Sequence, residues 1–311
     1  DMSKSTKWNS LEDESNPCLD GSSSFSGNVN LTEVVLPEGI THIPGGLFED
    51  CTSLKNVNFP STLTSIGTLA FQNTALETLI LPSGITSIGP SAFMGNTRLT
   101  KVALPNSLTT LGGNVFSGCT ALSAVSIPDN VTEIGMTTFK NCTSLVSVNL
   151  NNVKSIGKNA FQGCASLTEL NTNSAKINKI DAYAFQGCSS LTHLIIQEID
   201  IIGENAFENC SSLSTVLINN LAEINANAFK GASSLNKFFL SKDITKIHNL
   251  NNSITDIYYE GTEKEFKTFL SKGDISNFSP DKFTIHYNSS YEIIKESDCY
   301  SKIVYSCSCC E

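Results

Sequence analysis

Arginine is almost missing from this 311-residue chain: Arg98 is the only one, so bidentate guanidinium clamps on phosphate or carboxylate are not a theme. Acidic residues outnumber basic ones 30 to 20, for a net charge of −10, and the lysines do not cluster. That balance excludes nucleic acid as a natural partner, because phosphate binding depends on gathered cations. No run approaches the roughly 18 apolar residues of a membrane span. The N-terminal stretch DMSKSTKWNSLEDESNPCLDG lacks the apolar core of a secretory signal. The four histidines, His42, His193, His248 and His286, do not converge, and no HExxH, GxSxG or phosphate-cradling glycine loop is present. The reading is therefore of a non-enzyme with no cofactor and no metal. With 40% hydrophobic and 16% charged residues the chain is also too apolar to be disordered.

What is present is repetition. Phe25, Phe48, Phe71, Phe93, Phe116, Phe139, Phe161, Phe185, Phe207 and Phe229 recur at steps of 22 to 24 residues. About six residues after each comes a leucine that opens a segment such as LTEVVLP, LKNVNFP, LETLILP, LTKVALP or LSAVSIP. Apolar residues at period two, such as Val34 and Leu36, predict a short strand with one face inward. An apolar pair three apart follows, such as Ile40 and Ile43 or Ile85 and Ile88, often with glycine next, and then the phenylalanine on a helical or irregular turn. Such a strand buries its inner face only by stacking on copies of itself, and repeats of 20 to 29 residues with this spacing predict a leucine-rich repeat solenoid. The expected form is an arc on the order of 50 Å long, at about 4.8 Å per stacked strand. Its parallel sheet would lie on the concave face, short turns or helical segments opposite, and a cap at the C-terminal end.

The combination FxxCxxLxxVxLPxxVxxIGxxAF resembles the BspA-like, treponemal-type leucine-rich repeat family of surface proteins. The resemblance spans about residues 25–260 and implies adhesion or host-protein binding. In place of the Asn or Cys that commonly follows the last strand leucine, the chain has Gly39, Thr62, Gly84, Ser107 and Asn130, and its cysteines sit in the turn before the strand.

Cys51, Cys119, Cys142, Cys164, Cys188 and Cys210 each lie three residues after a repeat phenylalanine, where other copies hold Asn28, Asn96 and Ala232. A position that accepts Cys, Asn and Ala reads as a small inward packing site of reduced thiols. Disulfides between neighbouring coils are the alternative; a metal site fits poorly, since one flat row cannot surround a tetrahedral ion. The tail ESDCYSKIVYSCSCCE holds Cys299, Cys307, Cys309 and Cys310 outside any repeat. It reads as flexible with exposed thiols, with disulfides, lipid attachment and metal capture as alternatives.

The organisation expected is a lead and N-terminal cap over 1–24 with Trp8 and Leu11, a solenoid over 25–260, a C-terminal cap over 261–287 and the Cys-rich tail over 288–311. In the cap, Phe266, Phe269 and Leu270 share a helix face, Thr262 and Glu265 fit a capping box, and KFTIHY closes the sheet. The outward strand column reads Val35, Asn58, Ile80, Ala103, Ser126, Asn149, Asn171, Ile195, Leu217, Phe239 and Tyr258. Its last four members would form an exposed apolar stripe beside His193, Thr215, Lys237 and Asp256, the expected ligand-binding site. The alternative is that the cap or tail folds over the stripe. The function expected is a protein-binding scaffold at or outside the cell surface, with a host matrix or surface protein as partner. An intracellular interaction or assembly scaffold is the second reading.

Overall fold

The computed structural model describes residues 6–7, 25–172, 176–297 and 300–307. Each coil opens with a short strand whose middle residue points inward: in Thr78–Ile80, Leu79 is buried and both flanking residues are exposed, and Glu33–Val35 and Ala124–Ser126 repeat the pattern. Among the described residues this row falls into several short parallel ladders, and within each the coils pair without slipping, so Val34 lies beside Val57, Leu79 beside Val102 and Val148 beside Leu170. The result is a parallel-strand solenoid with one continuous apolar core. At the N-terminal end Thr6–Lys7 extends the row by pairing with Val34 and Val35; Trp8 and Leu11 lie outside the described residues.

A second row of strands went unrecognised in the sequence. His42–Ile43, Ser65–Ile66, Ser87–Ile88 and Thr110–Leu111 stack into their own parallel ladder, with the isoleucine or leucine inward. Proline separates the two rows in the early coils. Pro60, Pro82, Pro105 and Pro128 have no N–H for the ladder, and each carbonyl accepts from the residue three ahead at 3.0–3.3 Å, closing a turn. Where Gln197 and Asn219 replace that proline the strand need not stop, and His193–Ile202 and Thr215–Ile224 each run ten residues.

The phenylalanine turn is neither helical nor irregular. The residues two before and two after the ring are both left-handed, as in Asn114 and Gly118 around Phe116 or Asn159 and Gly163 around Phe161. Asn and Gly tolerate that conformation, and between the two kinks the ring is aimed into the core. From Phe25 to Phe229 the rings stack in one unbroken column with centroids 5.1–5.9 Å apart. The N–H of Phe161 donates to the Ala184 carbonyl at 2.7 Å, and the same bond recurs from Phe48 to Phe207. The glycines that follow the second strand serve a close approach between coils: a Cβ at Gly112 would come within 2.5 Å of the Pro90 nitrogen.

All six repeat cysteines are free and buried. Each is also a donor: the Cys142 thiol bonds the Phe116 carbonyl at 3.1 Å, Cys164 that of Phe139 at 3.1 Å and Cys188 that of Phe161 at 3.2 Å. Asn96 replaces cysteine by the same means, its amide reaching the Phe71 carbonyl at 2.7 Å. Burial pushes the thiols of Cys142 and Cys210 up to about 12, so they stay protonated at neutral pH.

Beside this column, Gln186 donates to Glu208 at 2.6 Å and Lys230 to its other oxygen at 2.9 Å, tying three coils together. Burial opposes ionisation of Glu208, yet these bonds and that from Asn205 hold its pKa below the ordinary glutamate value. The C-terminal cap is the helix Glu263–Lys272 with a complete Thr262/Glu265 capping box. Phe266 and Phe269 are buried, Leu270 packs beside them, and Thr284–His286 closes the row. The chain then forms an antiparallel hairpin, Ser289–Ser297 with Tyr300–Cys307, where the sequence suggested a flexible tail; Cys299, Cys309 and Cys310 lie outside the described residues.

Replacing Phe161 by Ala leaves a gap between two ring contacts and is expected to cost about 3–5 kcal/mol in chemical denaturation. Leu69 holds a φ of 62° that suits asparagine better, so Leu69→Asn is expected to raise the unfolding free energy by ~1 kcal/mol in chemical denaturation. Because the folded-state pKa of Glu208 is depressed, its stabilisation is fully present above the unfolded value and is lost as pH falls through the folded one. Glu208→Gln should therefore flatten the acid limb of stability below about pH 5.

Candidate functional site

The outward column on the first sheet is the candidate surface. Register places Val35 beside Asn58, Ile80 beside Ala103 and Ser126 beside Asn149 and then Asn171. All but Val35 and Ile80 are small or polar, and all are open to solvent except half-buried Asn149; among the described residues Ile80 is the most exposed large apolar one, at 64%. Three short parallel ladders hold the backbone under them, so the face is a regular surface carrying interchangeable side chains.

Further along, Ile195 pairs with Leu217 and Phe239 with Tyr258, and the column runs one residue beyond the sequence expectation, to His286. The expected open stripe is not found. Ile195 is 38% exposed, but Leu217 and Phe239 are buried at 0% and 4%, and Tyr258 is half-buried. Large apolar side chains gain most by leaving water, and at this end of the sheet the hairpin strand Ser289–Ser297 runs close to Asp256–Tyr259.

Around the covered pair, His193 and Lys237 remain exposed. His193 Nδ1 meets the Thr192 hydroxyl at 2.8 Å, and the Lys237 ammonium stands 6.0 Å from the centre of the Tyr258 ring. His286 is not the isolated residue its sequence position suggested: it stacks on Tyr258 at 4.5 Å, and its Nε2 is 2.9 Å from an Asp256 oxygen. The His286 contact first, and then the Thr255 hydroxyl at 2.7 Å, hold the Asp256 carboxyl below its usual pKa. Sequence reasoning missed this pair because its members are thirty residues apart, and only the register of the closing strand joins them.

Nothing in this arrangement assembles a reacting set. Among the described residues no three His, Cys, Asp or Glu side chains are placed to hold a metal ion. The principal surface hollows, one along Glu263, Lys264 and Lys267 and one beside Asn227, Lys230 and Asn249, contain neither histidine nor thiol. What the face can do is present shape and hydrogen-bonding groups to another macromolecule. Because Leu217 and Phe239 are buried, Leu217→Ser with Phe239→Ser is expected to lower stability by several kcal/mol, on the order of 2–5 for each site. Ile80→Ser on the open part should stay within about 0.5 kcal/mol, and denaturant midpoints distinguish the two.

The repeat profile of the BspA type leucine rich repeat region matches residues 21–146 and 134–255, in six copies. No curated protein matches the chain. Among solved structures, a leucine-rich repeat protein of T. pallidum is 30% identical over 47% of this chain and 69% of its own, with a TM-score of 0.44. A leucine-rich repeat protein from Bacteroides ovatus is 21% identical over 85% of this chain and 86% of its own, with a TM-score of 0.48. The pneumococcal vaccine antigen PcpA is 18% identical over 82% and 79%, with a TM-score of 0.44. With its phenylalanine-centred coils and this profile match over most of its length, the chain belongs to the BspA-type leucine-rich repeat family.

Proposed function

We propose that the protein is a non-enzymatic binding scaffold, displayed at the cell surface or outside the cell, that holds a protein partner on the concave face of its first sheet. The observation that carries this reading is the exposed outward column from Val35 to Asn171, carried on short parallel ladders. A ladder fixes backbone positions, so a partner meets a preorganised surface and little ordering entropy is lost on binding. Small polar residues at Ser126, Asn149 and Asn171 let a partner approach the backbone closely, and Ile80 and Ile195 supply apolar contact. His193 and Lys237 add polar groups at the far end. A host matrix or surface protein is the partner class proposed.

The experiment is binding of the purified chain to immobilised extracellular matrix proteins. Ser126→Arg with Asn171→Arg, both on exposed positions of the face, is expected to weaken a captured interaction at least tenfold. Met136→Arg, exposed in a coil turn and outside the sheet column, should leave it unchanged. Equal binding by the two variants would exclude the concave face.

A further inference from the structure

Two outward positions near the C-terminal end are dry although their place in the sheet would leave them wet. In-plane neighbours shield the flanks of a strand residue and leave its outer side open: Ile80 sits in a ladder too and remains 64% exposed. Leu217 at 0% and Phe239 at 4% therefore have something above them.

A candidate cover lies in the chain itself. After Thr284–His286, Asn288 adopts a φ of 51° and its N–H bonds the Gly261 carbonyl at 2.9 Å, which turns the backbone into the hairpin. Among the described residues the two hairpin strands ladder only with each other. An isolated two-stranded hairpin is marginally stable in water at best, so this one needs an apolar surface to rest on. Its register sets Tyr291 opposite Tyr305 and Ile293 opposite Ile303, four large residues at positions of one parity. Nine residues of strand reach about 30 Å, whereas Leu217 lies three strands, about 15 Å, from His286.

We propose that the hairpin Ser289–Cys307 is an intramolecular cover seated over Leu217 and Phe239, and that a partner using the C-terminal part of the concave face displaces it. The cover stands on the burial and topology alone; the displacement rests on the concave-face reading above. Among the described residues no ladder joins hairpin and solenoid, so opening leaves the stacked coils intact. An opened face would offer Leu217, Phe239 and Tyr258 in a row with Ile195, suited to an extended segment with alternate apolar residues.

In the full-length chain, benzoylphenylalanine at position 239 is irradiated and the adducts are mapped by peptide mass spectrometry. Adducts to residues 289–307 of the same molecule are expected; adducts only elsewhere in the chain, or only between molecules, would overturn the cover. If circular dichroism shows that the larger ring unfolds the chain, the probe moves to half-buried Tyr258, with the same two outcomes. Independently, Ile293→Lys with Ile303→Lys should raise anilinonaphthalene sulfonate fluorescence severalfold at unchanged circular dichroism, whereas Glu292→Lys, of the other parity, should not. A folded double variant with no rise also counts against the cover. Displacement is read on the same matrix panel, where the opened variant should bind several-fold more tightly than wild type. Equal binding refutes displacement alone, since the concave-face reading is decided by the arginine variants.

Discussion

The tie between each phenylalanine and the next coil is the constraint on which the molecule depends. The ring of Phe116 stacks on Phe93 and Phe139, its N–H donates to Thr138 at 2.9 Å, and its carbonyl receives the Cys142 thiol. A coil can therefore join the stack only if its chain returns after 22 to 24 residues with a ring at that point and left-handed residues on both sides of it. Other features tolerate variation, including proline or polar residues after the strand and Cys or Asn as donor. Offset stacking adds about 0.5–1.5 kcal/mol per aromatic pair beyond burial, and the pairs recur along the whole body.

The donor column has two gaps. Thr74 turns its hydroxyl to Asn96 while the rings stack on past it, and Ala232, which has no side-chain donor, lies in the coil of Phe229, the last ring of the parallel column. There Phe238 meets Phe229 edge-on, and Asn251 donates to the Ala232 carbonyl. The solenoid then passes to the cap helix, whose Phe266 packs against Tyr259. The buried thiols fit this picture: burial keeps them protonated, and protonated they are hydrogen-bond donors.

A core consumed by stacking has consequences for function. The interior is filled with phenylalanine, leucine and isoleucine, and the outward strand positions are free to differ from coil to coil. Variation at those positions changes what the face presents without disturbing the stack. The C-terminal part of the face is the exception, where Leu217 and Phe239 are as apolar as the inward residues and are buried as well.

The repeat period, the inward residues of each strand, the cap helix with its capping box and the packing role of the cysteines were legible in the sequence, because each rests on spacing within one coil. The second row of strands was missed because two-residue strands are too short to show alternation, and they exist only through their neighbours. The same holds for the glycines, whose lack of a side chain answers to the coil behind them, and for the thiols, whose carbonyl partners lie some 25 residues earlier. His286 and Asp256 met through the register of the closing strand, and the burial of Leu217 and Phe239 appeared only in the folded chain. A sequence states which side of a strand a residue takes; whether that side meets water depends on chain from elsewhere, and only the tertiary structure decided it.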